Sequence, residues 1–259
     1  YIPKQRLWYI RAKEVVISSG SIERPLVFGN NDTPGVMLSS AAKEYMKIYG
    51  VLVGKKPIIF TNNDSGYETA IEFKKNGVDP IVLDTRKDTN SEIIKEAKEL
   101  NINIKFSYVV VAAKGYKKVK SADIARISDD KKSIDKIENI KCDCICVSGF
   151  WTPTIHLASQ SGNKTKFNEE IDAFIPSQSK QNETTLGSAN GVFTLEETLK
   201  TSFAKGEELS KKITNKDSKV TVPTVVEKKS SNHDKFWCVP LPEDKNYKRF
   251  LDFQNDVAV

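Results

Sequence analysis

The sequence contains no apolar run approaching the roughly 20 residues that a bilayer-spanning helix needs, and no signal-peptide pattern is visible. It also lacks a basic stripe interleaved with aromatics. The 40 Lys and Arg are scattered among 34 Asp and Glu, so the net charge of +6 is spread over ordinary solvated faces and nucleic acid is not an expected partner. Cysteine is scarce, with four residues and no C-x-x-C pair, which excludes a dithiol reductase and fits a reducing cytosol. There is no Ser/His/Asp order, no pair of carboxylates in a glycine-rich cleft and no metal-ligand cluster. No catalytic residue and no metal ligand is therefore assigned. Three of the cysteines alternate in KCDCICVSG. On a strand, Cys142, Cys144 and Cys146 point to one face, as small buried hydrophobes. Zinc sites place their cysteine pairs at C-x₂₋₄-C spacing on turns.

What the chain does contain centres on Lys56–Arg86, KPIIFTNNDSGYETAIEFKKNGVDPIVLDTR. Ile58–Phe60 is an apolar run, Thr61–Gly66 is turn chemistry, Tyr67–Lys75 has helical spacing, Gly77 stops the helix, and Ile81–Leu83 is a second apolar run ending at Asp84. This is a βαβ unit, which requires a parallel sheet. A dinucleotide fingerprint reads G-x-G-x-x-G at this turn. Thr61, Asn63 and Gly66 occupy the three glycine positions, so only the glycine for close helix–strand packing is kept. Asn63 puts a Cβ and an amide where the backbone of a binding turn meets pyrophosphate. The unit is expected to retain a Rossmann shape and to have lost its dinucleotide. Asp84 is read as a solvated strand-end carboxylate, with an acid that holds a ribose as the alternative.

Around this unit, Leu7–Arg11 and Lys13–Ile17 read as strands, the second running into Ser18-Ser19-Gly20-Ser21. Thr33 and Pro34 form an N-cap and first-turn proline for a helix to about Tyr49, with Met37, Ala41, Tyr45 and Ile48 inward and Gly50 as its stop. Thr89–Glu92 is a capping box. Ile104–Ala112, Tyr116–Ile127 and Ser133–Lys141 read as an antiparallel meander, followed by a strand at Cys142–Ser148 ending in Gly149. Thr152-Pro153 opens a short helix holding His156, a packed or surface histidine. Gly162–Glu183 is a hairpin and loop. Gly187–Gly191 is a second glycine-rich turn before a Thr194-capped helix, and Lys212–Lys235 is a polar linker.

The order of glycine-ended strands VVISSGS and ICVSGFWTP and the loop LGSANGVF, with a βαβ-plus-meander insert between the first two, resembles the glutathione-reductase type of flavoprotein. The expected fold is α/β, a truncated two-dinucleotide-domain architecture with an inserted βαβ-plus-β-meander domain. Residues 1–54 are expected to form part of an interrupted dinucleotide-binding domain, 55–141 the inserted domain, 142–211 the return to the first, and 212–259 a linker and the start of a C-terminal region. IERPLVFGNNDTPGVM, FTNNDSGYETA, VSGFWTPTIHLASQSG, LGSANGVF and FLDFQNDV together resemble the alpha subunits of heterotetrameric sarcosine oxidases.

That resemblance implies part of a cytoplasmic enzyme that oxidises sarcosine to glycine, reduces oxygen to peroxide and passes a one-carbon unit to tetrahydrofolate, forming 5,10-methylenetetrahydrofolate. It implies an NAD in the alpha subunit, FAD and FMN held mainly through the beta subunit, and a hetero-oligomer with beta and smaller subunits. The chain would then be the middle of a subunit whose NAD fingerprint and folate-binding region lie outside it. Strand ends facing the ligand crevice and a glycine turn before a helix make Ser19, Gly20, Ser21, Gly149, Ser188 and Asn190 the candidate NAD contacts. The alternatives are an opine or amino-acid dehydrogenase large subunit, or a non-catalytic dinucleotide-fold scaffold for subunit contact.

Overall fold

The computed structural model describes residues 5–217, 219–226, 233–253 and 255–259. Tyr1, Gln254 of the FLDFQNDV stretch, and residues 218 and 227–232 of the expected linker lie outside the described residues. The chain forms two compact units, Tyr1–Ile22 with Thr152–Glu227, and Glu23–Trp151 with Lys228–Val259.

In chain order, β1 (Val15–Ile17) and β2 (Ser21–Glu23) come first. The second unit then lays down β3 (Val36–Leu38), α1 (Ser39–Tyr49), β4 (Pro57–Thr61), α2 (Ser65–Lys75), β5 (Ile81–Asp84), α3 (Glu92–Glu99) and β6 (Asn103–Phe106). It continues through β7 (Tyr108–Lys114), β8 (Ser121–Arg126), β9 (Glu138–Lys141) and β10 (Cys144–Ser148). The chain passes back to the first unit within β11 (Trp151–Pro153) and continues with α4 (His156–Gln160), β12 (Thr165–Asn168), β13 (Ala173–Pro176), β14 (Glu183–Thr185), a 3₁₀ turn at Gly187–Asn190 and α5 (Leu195–Thr214). β15 (Phe250–Asp252) and β16 (Val257–Ala258) close the second unit.

The second unit is built on a parallel sheet of order β3-β10-β4-β5-β6. Its central strands β4 and β10 are buried at every position, and apolar up to their carboxyl-terminal residues, because both faces are covered. The pleat sorts them. Ile58, Phe60, Leu83, Ile145 and Val147 pack with Val110, Ile124 and other residues of the β7-β8-β9 meander. Ile59, Val82, Cys144 and Cys146 pack with Ala42, Met46, Tyr67, Phe73, Ile94 and Ala97 from the helices. Two layers of core therefore sandwich one sheet. Gly66 is required by this packing, since a Cβ there would lie 2.7 Å from both Cβ and Oγ1 of Thr61.

Several expectations need correction. The boundaries at 54/55 and 141/142 fall inside this sheet, because β3 and β10 both belong to it and β10 lies between β3 and β4. Val15–Ile17 and Ile145–Val147 consequently sit in different sheets. The helix expected from Pro34 begins at Ser39, because Val36–Leu38 is drawn into parallel pairing with β10. Its buried residues are Ser39, Ala42 and Met46, while Tyr45 and Ile48 face solvent. Gly50 does take the left-handed stop, φ +62°. Cys144 and Cys146 share a face, Sγ to Sγ 3.6 Å, but Cys142 precedes the strand and enters the meander-side core. The first expected meander stretch divides at Ser107, φ +56°, into β6 of the parallel sheet and β7 of the meander. Leu7–Arg11 is not a strand, and Thr152-Pro153 lies in β11 rather than capping a helix.

In the first unit β1 pairs in parallel with β14, Val15 opposite Glu183 and Ile17 opposite Thr185. β12 and β13 form the expected hairpin, with Phe167 and Phe174 edge to face at 5.2 Å. α5 opens on Thr194, whose hydroxyl accepts the Glu197 N–H at 3.3 Å. Strands β2 and β11 pair with each other.

Candidate functional site

Ligands of open parallel sheets bind outside the carboxyl ends of the strands. In the second unit that edge is the β4–α2 turn, Thr61-Asn62-Asn63-Asp64. It is closed by its own side chains. Asn63 Nδ2 donates to the Ser148 carbonyl and hydroxyl, 3.1 Å each, and to Asn62 Oδ1 at 2.9 Å. Asn63 Oδ1 accepts the Ser65 N–H at 2.8 Å. Thr61 Oγ1 donates to the Asn63 carbonyl and accepts the Asn63 N–H. In the first turn of α2, where a pyrophosphate would be held, the Ser65 N–H is taken by Asn63 Oδ1 and the Tyr67 N–H by the Asp64 carbonyl. All four side chains are buried. The residues present do not fit a dinucleotide here.

Asp84 is neither a ribose ligand nor a solvated carboxylate. It is fully buried and ion-paired to Arg86, with Arg86 Nη2 at 2.8 Å, the Arg86 backbone N–H at 2.9 Å and the Tyr67 hydroxyl at 2.7 Å. Arg86 Nη1 reaches Asp64 at 2.9 Å, so one guanidinium lies between two carboxylates. Burial works against the charge on Arg86, but hydrogen bonds and charge from Asp84, with Asp64, outweigh it and raise the pKa. Burial, with the Asp84 charge and hydrogen bond, raises the Tyr67 pKa, which keeps its hydroxyl a donor. The triad fills the position where a nucleotide ribose would need a free acceptor.

Close by, Glu23 is buried, with Oε2 accepting the Ser40 N–H at 2.7 Å at the start of α1. Its other oxygen has no hydrogen-bond partner among the described residues. Burial raises the Glu23 pKa, offset in part by hydrogen bonds from Ser148 and Ser40 and by the charge of Lys43. Burial also pushes the Cys142 thiol up to about 12, and Cys146 is raised by its hydrogen bond with Cys144 and by burial, so neither is a reactive thiolate. Among the described residues, no group of three or more His, Cys, Asp and Glu is placed to hold a metal. No helix of the described residues is long and apolar enough to cross a membrane.

The first unit has a different carboxyl edge. The parallel register of β1 with β14 brings the turn after Ile17, carrying Ser19, Gly20 and Ser21, beside the turn after Thr185, carrying Ser188 and Asn190. The Leu186 N–H donates to the Ile17 carbonyl at 2.9 Å, which extends the pairing to the mouth of both turns. Gly20 has φ +78°, and a Cβ there would meet nothing within 4 Å. Gly187 and Gly191 also have positive φ, +65° and +81°. Ser19 Oγ donates to the Thr154 carbonyl at 2.8 Å, and the Thr154 N–H donates to the Gly20 carbonyl at 2.9 Å. A left-handed glycine with open space over it suits a group that approaches the backbone. Gly149 is placed elsewhere, at the end of β10 in the second unit. Its N–H donates to the Arg24 carbonyl at 2.7 Å, and a Cβ would lie 2.8 Å from that oxygen. Close approach to Arg24 and Pro25 explains that glycine.

No family model matches the sequence. Among curated proteins, the sarcosine oxidase subunit alpha of Rhizobium meliloti (strain 1021) is 32% identical over 259 residues, covering 99% of this chain and 25% of that protein. Its counterpart from Corynebacterium sp. (strain P-1) is 30% identical over 264 residues, covering 100% of this chain and 27% of that protein. This chain is similar to sarcosine oxidase subunit alpha along its whole length. It spans about a quarter of the length of these relatives. Among solved structures, L-proline dehydrogenase from P. horikoshii superposes with a TM-score of 0.54 at 21% identity, over 80% of this chain and 36% of that one. T. acidophilum thioredoxin reductase gives 0.55 at 17%, over 70% and 59%. At such identities the likeness establishes the fold, and it is the expected glutathione-reductase-like α/β architecture.

Sequence reasoning missed Arg86 as the counter-ion of Asp84 and Asp64, and it missed the segment around Asp234. Asn62 Nδ2 donates to the Asp234 and Phe236 carbonyls, partners 172 and 174 residues away. The charge of Arg86, two residues past Asp84, was a local signal. Nothing local points from Asn62 to Asp234.

Proposed function

We propose that this chain contributes the NAD-holding scaffold of an oxidoreductase subunit of the sarcosine oxidase type. The observation that carries this reading is the parallel β1–β14 register, from which the chain leaves toward Ser19–Ser21 and toward Ser188–Asn190 at the same end of the strand pair. Whole-length similarity to sarcosine oxidase subunit alpha supports it. In this reading Gly20 and Gly187 let the dinucleotide approach the backbone, while Ser19, Ser21, Ser188 and Asn190 supply hydroxyl and amide groups for its polar atoms. Bound NAD supplies a nicotinamide capable of hydride exchange. The chain's own residues bind and orient it.

In the intact complex, sarcosine is oxidised to glycine with peroxide formation, the one-carbon unit passes to tetrahydrofolate, and FAD and FMN are held mainly through a beta subunit in a cytoplasmic heterotetramer. Co-expression of the full subunit with its partners, followed by a sarcosine-dependent peroxide assay and quantification of released NAD, tests the proposal. Turnover with about one NAD per subunit is expected. Absence of turnover with any secondary amine contradicts the activity, and a subunit purified without NAD contradicts the site.

A second reading applies to the second unit alone. The closed turn at Thr61–Asp64 favours a non-catalytic scaffold that keeps a dinucleotide fold for packing. The two readings concern different units and are compatible.

A further inference from the structure

The carboxyl edge of the second unit's sheet is occupied by another part of the same unit. His233–Val239 lies across it in extended form and is held at both main chain and side chains. Asn62 Nδ2 donates to the Asp234 carbonyl at 2.8 Å and to the Phe236 carbonyl at 2.9 Å, and the Asn62 carbonyl accepts the Asp234 N–H at 2.9 Å. One asparagine thus engages three main-chain groups of the segment. The Val27 N–H then donates to the Trp237 carbonyl, and the Val239 N–H to the Val27 carbonyl, both at 2.8 Å, as a parallel β-bridge. Among side chains, the Thr85 hydroxyl donates to Asp234 Oδ2 at 2.9 Å, and Lys131 pairs with the same carboxylate. The His233 ring stacks on Phe150, with centroids 4.0 Å apart. Phe236 and Val239 are buried in the meander-side core.

We infer that this crevice is a peptide-binding groove, and that its ligand is the chain's own His233–Val239 segment. Main-chain pairing with alternate side chains in pockets is how extended peptides are held at sheet edges. The groove asks for an acidic residue facing Thr85 and Lys131, followed two positions later by an aromatic that enters the core. Asp234 and Phe236 meet both requirements. Because ligand and groove belong to one chain, the effective concentration is high and a freely diffusing dinucleotide is at a disadvantage. This inference goes beyond the proposed function, since it requires neither NAD at the first unit nor amine oxidation.

Hydrogen exchange of the intact protein, read by mass spectrometry, tests it. The Asp234 and Val239 amides are expected to exchange slowly in the wild type. Asn62→Ala is expected to speed them by about tenfold or more while β5 amides hold their rates. Should that variant fail to fold, Thr85→Val, which removes one hydroxyl, carries the test and must still accelerate the same segment by about threefold or more. An unprotected segment in the wild type overturns the inference. So do unchanged rates in the folded variants, or slower exchange at both Asn62–Ser65 and Asp234–Val239 on adding NADH, which would make a nucleotide the ligand of the crevice.

Discussion

Asn63 Oδ1 accepts the main-chain N–H of Ser65 at 2.8 Å, while the same side chain's Nδ2 is bound to both oxygens of Ser148. One amide thereby engages the first N–H of α2 and ties the end of β4 to β10 where a nucleotide-binding turn would carry a glycine. Restoring that glycine removes four hydrogen bonds in a buried setting. Asn63→Gly is expected to cost about 2–4 kcal/mol in urea unfolding and to leave the second unit unable to bind NADH, because Asn62 and Asp234 still occupy the edge. A variant as stable as the wild type contradicts the role given to Asn63.

Arg86 lies between Asp84 and Asp64 and is ion-paired to both. Arg86→Met leaves two buried carboxylates facing each other and is expected to destabilise the protein by about 3–5 kcal/mol. Tyr67→Phe removes a single hydrogen bond to Asp84 and is expected to cost about 1.5–3 kcal/mol. Equilibrium denaturation of both, measured side by side, should preserve that order.

Glu23 predicts a dependence on pH. Burial raises its carboxyl pKa above 4.5, against smaller lowering effects from Ser148, Ser40 and Lys43. Between the ordinary carboxyl value and the raised folded value, the native state holds a proton that the unfolded chain has released. This contribution to stability is fully present below that window, declines as pH rises through it, and is constant above. Glu23→Gln is expected to flatten this part of the profile and to match or exceed wild-type stability at about pH 7. Unfolding midpoints taken from about pH 4 to about pH 8 check it, and a variant with an unchanged slope contradicts it.

Gly66 and Thr61 are predicted to be coupled. A Cβ at Gly66 would fall 2.7 Å from Thr61 Cβ and Oγ1, so Gly66→Ala should cost about 1–3 kcal/mol. Thr61→Gly in the same chain removes the obstacle. The double-mutant cycle should therefore show a favourable interaction of about 0.5 kcal/mol or more.

The βαβ unit at Lys56–Arg86 was legible because its signals are local: two apolar runs, a turn and a helical spacing within thirty-one residues. The hairpin of β12 and β13 and the cap at Thr194 were legible for the same reason. The sheet to which Cys144–Ser148 belongs was not. An apolar run of that length announces a strand but carries no record of which strands will flank it, and that choice is made by non-local burial between β3 and β4. Thr33-Pro34 offered good local capping chemistry and lost to the pairing of Val36–Leu38 with β10. Around the candidate site, the missing glycines foretold a closed turn. What closes it came from Ser148, Asp234 and Phe236, each distant in sequence.

The most direct measurement is a structure of the intact subunit bound to NAD. The pyrophosphate is predicted between the Ser19–Ser21 turn and the Gly187–Asn190 turn, at the ends of β1 and β14. A pyrophosphate lying instead against Asn62–Ser65 would contradict both the proposed site and the closure of the second unit.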